Sequence, residues 1–250
     1  MVTGASSGIG EATARALAAR GWRCVLVARR EERLRAIADE IGGEVELCDV
    51  GDREAVAAMA GRLLERHPVI GLLVNNAGMP ARGTYLTIES ELIERVTRVN
   101  YLGGVWCTRA LLPGLERAAA AGGAHVVNLI SVAGTVAFAP AGAYAASKHA
   151  QLAFSRSLGA ALRGSGIAVH SVLPGFVETE GFPQKGVLKS RLLSRFVIEP
   201  PRVADAIVRA VEKGRRETTV PWFPYRIISV LQAVAPGVMS RFVGMSDYRR

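Results

Sequence analysis

Thr3-Gly4-Ala5-Ser6-Ser7-Gly8-Ile9-Gly10 stands between a short apolar start, Met1-Val2, and a helix-period segment that begins at Glu11. Glycine permits backbone angles closed to other residues and lets an anionic group approach the main chain. A helix starting directly behind such a turn offers free N–H groups and the positive end of its dipole. Strand, glycine turn and helix in this order read as the opening unit of an α/β fold. Three glycines at this spacing favour a phosphate-binding turn over a plain connection. Only two residues precede the turn, so either the chain begins late or the central strand is shorter than the usual length of about five.

Working outward from that turn, short β-branched runs alternate with helix-period segments. Val25-Leu26-Val27, Val45–Val50, Ile70–Val74, His125–Ile130 and Ala168–Leu173 predict strands buried on both faces. Glu11–Arg20, Glu31–Ile41, Arg53–Arg66, Ile88–Leu112 and Ala143–Leu162 predict helices, with Pro113 ending or kinking the fourth. Gly21 and Gly42-Gly43 fall where C-terminal caps are expected. Further on, Arg202–Lys213 predicts a helix with Pro200-Pro201 at its start, and Thr218–Val220 a last strand. The alternation argues for βαβ units and a doubly wound, mostly parallel sheet with right-handed crossovers. No repeat or Ser/Gly linker interrupts residues 1–250, so one domain is the simpler expectation.

Composition narrows the class. The 250 residues are 50% hydrophobic and 21% charged, and their 27 Gly and 11 Pro follow no period, which excludes collagen-like and low-complexity chains. No run of 18 or more apolar residues occurs, and no basic-then-apolar leader opens the chain, so a cytoplasmic location is expected. Cys24, Cys48 and Cys107 sit in apolar runs without metal or redox spacing, and the 4 His share no ligand pattern, so no metal is expected. The net charge of +9 is lopsided: residues 1–184 carry 18 Lys+Arg against 17 Asp+Glu, and residues 185–250 carry 13 against 5. Attraction for anions therefore concentrates in the last quarter.

Two features carry chemistry beyond the turn. The second predicted strand ends Val27-Ala28-Arg29-Arg30, with no carboxylate where one would hold ribose hydroxyls and repel a 2′-phosphate. Arg29 supplies a guanidinium suited to phosphate, although Arg29 and Arg30 also fit the start of a solvated basic helix. The second feature is Tyr144 with Lys148, one turn apart on one helix face. With 5 Tyr and 4 Lys in 250 residues, chance gives about 0.08 such pairs, a modest false-positive risk. Ser131 lies 13 residues before Tyr144 at a predicted strand end, where doubly wound sheets open toward their ligand crevice.

Thr3-Gly4-x-x-x-Gly8-x-Gly10, Asp49-Val50, Asn75-Asn76-Ala77-Gly78, Asn100, Ser131, Tyr144-x-x-x-Lys148 and Pro174-Gly175 with Thr179 follow one another in a single order. That order resembles the short-chain dehydrogenase/reductase family over roughly residues 1–215, and implies a Rossmann-like fold with a nicotinamide dinucleotide cofactor. The resemblance implies cofactor contacts from Gly4, Ser6, Ser7, Gly8, Ile9 and Gly10, from Asp49 and Val50 at the adenine, and from Asn76, Ala77 and Gly78 at the adjacent ribose. As plain structure, Asn75 to Gly78 would be a turn closing a buried strand. Arg29 in place of an acid favours NADP(H) over NAD(H). Pro174, Gly175, the Val177 main chain and the Thr179 hydroxyl resemble the family's nicotinamide-side loop.

The implied reaction moves a hydride between nicotinamide and a carbonyl or secondary alcohol carbon. Tyr144 is the acid/base, and a free tyrosine, with a pKa of about 10, is a poor base at neutral pH. The Lys148 ammonium, with the positive nicotinamide ring, is expected to depress it and to hold the ribose hydroxyls. Ser131 orients the carbonyl, and Asn100 supports a proton relay through Lys148, as the resemblance implies.

The remainder is read more openly. Residues 180–199 fall where the family varies its substrate lid; Lys185, Lys189, Arg191 and Arg195 surround Val187, Leu188, Leu192, Leu193 and Phe196. This is an amphipathic lid over an apolar, lipid-like substrate or a solvated helix with a core face. Residues 216–250 form a basic extension in which Ile227, Leu231, Val234, Val238 and Phe242 recur at helical spacing, interrupted at Pro236. With Trp222, Phe223, Tyr225 and nearby arginines they fit a helix docked on the domain, a homo-oligomer interface, or peripheral contact with anionic lipid. No nucleic-acid motif accompanies the charge. A redox sensor that keeps the cofactor without turnover, or a membrane-recruited binding protein, remains the competing class.

Overall fold

The computed structural model describes residues 1–137, 140–184 and 193–237. Seven strands form one sheet: β1 (Val2–Thr3), β2 (Val25–Ala28), β3 (Glu44–Leu47), β4 (Leu72–Asn75), β5 (Ala124–Leu129), β6 (Ile167–Pro174) and β7 (Glu217–Val220). Their order is β3-β2-β1-β4-β5-β6-β7, and every neighbouring pair is parallel. The order reverses between β1 and β4, which places the topological switch, and hence the ligand crevice, at their carboxyl ends. The described β1 comprises two residues, held between Leu26-Val27 and Val74.

Both faces are covered, as buried strands without polar alternation require. On one face Leu26, Val127 and Val172 pack beneath α1 (Gly8–Ala18), α2 (Glu31–Ile41) and, further along the chain, α7 (Pro200–Glu212), through Leu17, Leu34, Ile37 and Ile207. On the other, Val25, Val27, Leu73 and Val126 meet Met59, Leu63, Cys107 and Leu111 of α3 (Arg53–Arg66) and α5 (Gly103–Ala120). The three cysteines are free and buried.

The predicted helix Ile88–Leu112 is corrected. It is α4 (Ser90–Thr97), a π-helical turn over Arg98–Leu102, and then α5, which runs through Pro113 to Ala120. Pro113 is exposed, as is Arg109 four residues earlier, so the carbonyl that loses its N–H partner lies on the solvent side. Leu111 and Leu115 are fully buried. Burial of each contributes about 1.5–3 kcal/mol, enough to offset the roughly 3 kcal/mol that a proline costs within a helix. The third strand also ends three residues before the expected Val50.

The last described helix docks on the domain. The helix α8 (Tyr225–Val234) buries Tyr225 and Ser229 against the turn Val132–Gly134 that follows β5, with Thr135 and Ser229 hydroxyls 2.7 Å apart. Its outer face, with the preceding residues, leaves Trp222, Phe223, Ile227, Val230, Leu231 and Val234 exposed. Among the described residues no helix is long and apolar enough to cross a membrane. Of the expected lid, residues 185–192 lie outside the described residues, as do Val238 and Phe242.

Candidate active site

The glycine turn closes on itself at the switch point. A methyl group on Gly10 would sit 2.2 Å from the Gly4 carbonyl oxygen and 2.4 Å from the Asn76 amide nitrogen, so only glycine fits. Gly8 takes a φ of +60°, and a side chain there would approach Thr179 at 3.1 Å, so Gly8 sets the gap between the turn and the loop after β6. Ser7 occupies the N-cap position of α1 without making a capping bond. The contrast is α3, where the Asp52 carboxylate accepts the Glu54 and Ala55 N–H groups. The positive end of α1 is therefore left without a capping side chain, as an anion-binding helix start requires.

Asn76 and Ala77 fasten the end of β4 to this turn. Both N–H groups donate to the Thr3 hydroxyl at 3.0 Å, and the Asn76 side chain donates to Thr3 O at 2.7 Å and Gly4 O at 3.3 Å. Asn76, expected at a ribose, uses its amide nitrogen to hold the turn. Asn75 is buried and donates to Asn128 Oδ1 on the neighbouring β5. Gly78 lies beside Asn100 and Lys148, with space for a methyl 3.4 Å from Asn100 Oδ1 and 3.8 Å from Lys148 Nζ.

At the end of β2, Ala28 fills the position where an acid was missing. Arg29 points to Asp49, 3.5 Å from its carboxylate, and Asp49 also accepts the Gly51 N–H. The Val50 side chain lies in the core. The guanidinium over the glycine turn belongs to Arg30, which the sequence offered only as part of a basic helix start. Its Nε donates to Ser6 Oγ at 3.1 Å and its Nη2 to Ser7 Oγ at 2.5 Å. It also faces Glu180, as does Arg33.

Ser131, Tyr144 and Lys148 converge at the carboxyl ends of β5 and β6. Ser131 follows β5, accepts the Ala133 N–H, and lies 3.5 Å from Pro174 O at the end of β6. Tyr144 and Lys148 come from α6 (Gly142–Ala161), with Lys148 Nζ 6.0 Å from the Tyr144 ring centre. Lys148 is 3% exposed and donates to Leu129 O at 2.9 Å and to Gln151 Oε1 at 2.8 Å. Two of its three donors are thus occupied. Gln151 is a partner that the Tyr-x-x-x-Lys pattern does not reveal. Asn100, 1% exposed in the π-helical turn, accepts the Met79 N–H and donates to Met79 O and Ser147 Oγ. Ser147 in turn donates to Tyr144 O. Asn100 therefore ties the π turn to the helix that carries the tyrosine; read alone it would have been a helix surface residue.

Burial governs both titrating groups. Lys148 is pushed down to about 7 because its ammonium leaves water. Tyr144 is pushed up to about 12, burial outweighing the Ser131 hydroxyl that pulls it down. The expected depression drew on the Lys148 ammonium together with a positive nicotinamide ring; in the protein itself burial of the phenol is the larger effect. The phenol stays protonated through neutral pH.

The loop after β6 completes the crevice. Gly175 packs on the Tyr225 ring, where a side chain would come within 2.0 Å. Val177 bridges Ile198, and Thr179 accepts the Phe182 N–H at 3.0 Å. Phe182 brings its ring to 5.6 Å from that of Tyr144, giving the mouth an apolar wall. An uncapped helix start, glycines that admit close approach and an arginine over serine hydroxyls fit a nicotinamide dinucleotide. Its pyrophosphate would lie at α1, with the nicotinamide toward Lys148 and Thr179.

Known proteins match this chain over most of its length. The family model described as short chain dehydrogenase matches residues 1–186. A Streptomyces violaceoruber protein named for a ketoacyl reductase of granaticin polyketide synthase is 34% identical, covering 99% of this chain and 93% of its own. Among solved structures, a variant of the actinorhodin polyketide ketoreductase with NADPH has a TM-score of 0.79 at 30% identity, covering 88% of this chain and 94% of that one. A short-chain dehydrogenase/reductase of Burkholderia phymatum in complex with NAD has a TM-score of 0.83 at 27% identity, covering 95% and 93%.

Proposed function

Because the chain belongs to the short-chain dehydrogenase family and is an oxidoreductase of the ketone/alcohol type, we propose that it reduces an apolar ketone to a secondary alcohol with NADPH. The convergence of Ser131, Tyr144 and Lys148 beside the uncapped start of α1 carries this reading.

When bound, the reduced nicotinamide supplies the hydride. Tyr144 donates its phenolic proton to the oxygen that becomes the hydroxyl, and a tyrosine held near 12 is fully protonated for that task. Ser131 donates a hydrogen bond to the same oxygen and fixes the carbonyl against the ring of Phe182. Lys148, steadied by Leu129 O and Gln151, supports the phenol and has a third N–H for the ribose side. Asn100 serves the relay by anchoring the π turn to α6.

Arg30 over the serine hydroxyls, with Ala28 in place of an acid, supports NADP(H). A relative's NADPH complex agrees with this, and another relative's NAD complex makes the preference a matter for measurement. The apolar wall of Phe182, and the polyketide and ketoacyl names among the relatives, point to an aliphatic or aryl ketone or a β-ketoacyl thioester.

The test is oxidation of NADPH and of NADH against a panel of such ketones, repeated with Tyr144→Phe. Turnover with at least one ketone, a lower KM for NADPH, and a fall in kcat of about a hundredfold to ten-thousandfold in the variant are expected. Turnover that survives the substitution unchanged would remove Tyr144 from the reaction.

A further inference from the structure

One carboxylate occupies the arginines at the glycine turn. Glu180, in the loop after β6, lies 3.4 Å from Arg30 Nη1 through both of its oxygens, and Arg33 donates to the same carboxylate. Arg30 is at the same time held over the turn by Ser6 and Ser7. Some 150 residues separate acid and base in the chain, so the contact joins opposite lips of the crevice. Paired guanidiniums bind phosphate and carboxylate through the same fork of N–H donors, and a phosphate monoester brings more charge and a third acceptor oxygen. Arg29 does not take part, since it faces Asp49.

We propose that Glu180 is a built-in competitor for the adenosine 2′-phosphate: it holds Arg30 and Arg33 until the phosphate displaces it, and so sets how strongly the enzyme prefers NADP(H) to NAD(H). This rests on the NADP(H) reading given above. Its physical content is selective. A dinucleotide without the 2′-phosphate has no group that needs these guanidiniums, so NAD(H) binds with the ion pairs intact. NADP(H) binds only by breaking them, and gains the difference between a phosphate and a carboxylate partner. Glu180 also sits next to Thr179 and two residues before Phe182, whose ring meets Tyr144.

The experiment uses the full chain and its Glu180→Gln variant, titrated with NADP+, NAD+, adenosine 2′,5′-bisphosphate and 5′-AMP. Glu180→Gln should tighten NADP+ and the bisphosphate about three- to fivefold, the scale of exposed ion pairs, and leave NAD+ and 5′-AMP within about twofold. Two outcomes would overturn the proposal: weaker NADP+ binding, or an equal change for both dinucleotides, which would make the contact a strap over any cofactor. Arg30→Ala and Arg33→Ala, titrated in parallel, test the reading beneath it. Unchanged discrimination in both means the arginines do not read the 2′-phosphate, and the NADP(H) assignment falls with the competitor. Discrimination lost in them but unmoved in Glu180→Gln overturns the competitor alone.

Discussion

Lys148 is a buried amine whose charge the fold tolerates poorly, and this has a measurable consequence. Its pKa lies at about 7 in the folded protein and near the ordinary 10.5 when unfolded. Between these values the unfolded chain binds the extra proton, so stability rises with pH across that window. The gain from pH 7 to 9 is about 2 kcal/mol at roughly 1.4 kcal/mol per unit. Tyr144 acts in the opposite sense and higher up: raised from 10 to about 12, it costs stability as pH climbs from 10 toward 12. The Tm of the unliganded protein should therefore increase more between pH 7 and 9 in the native chain than in Lys148→Met, which keeps the volume and removes the amine. Parallel Tm curves would contradict the burial account. Tyr144 and Lys148 were legible because four residues on a helix fix their relation locally. Gln151 on Lys148 and Arg30 over Ser6 and Ser7 were not, because spacing does not say which of several polar neighbours a buried or bridging side chain selects.

At the scale of elements, the loop after β6 is held at both ends by one residue of α8. The Tyr225 hydroxyl accepts the Phe176 N–H at 3.3 Å and donates to Phe196 O at 3.1 Å, while Val177 bridges Ile198 alongside. Tyr225 is 6% exposed and lies against Gly175. It is a positioning residue, acting on the substrate side through the loop. Tyr225→Phe keeps the ring and removes both bonds, which should lower stability by about 1–2 kcal/mol and raise KM for the ketone while kcat changes little. Thermal melts and a KM-against-kcat comparison check this; unaltered KM with lowered Tm would make the tyrosine merely structural. The sequence marked Tyr225 only as one aromatic near an apolar stripe, since docking on a distant loop leaves no periodic signal. The helix period over Ile88–Leu112 was sound in kind, but it hid the π turn at Asn100. A one-residue expansion barely disturbs the apolar spacing, and here it is secured by the Met79 contacts that only the fold supplies.

For the whole molecule, alternation of buried strands with amphipathic helices was enough to foresee a doubly wound parallel sheet, because few other architectures bury both faces of every strand. The glycine turn stands at the switch between β1 and β4, but the strand order itself was not legible and comes from the fold. Three of the apolar and three of the basic side chains of the expected lid fall within residues 185–192, outside the described residues. The proposed reaction depends on one arrangement: a protonated phenol and a serine hydroxyl on one oxygen, with a dinucleotide laid from α1 toward Lys148. The most direct measurement is a single turnover with NADPH carrying deuterium at the transferable position of C4 and a ketone that the panel identifies. The label should appear on the carbinol carbon of the product, and Tyr144→Phe should slow its appearance by about a hundredfold or more. An alcohol without the label, or label transfer at an undiminished rate in the variant, would contradict direct hydride transfer assisted by Tyr144.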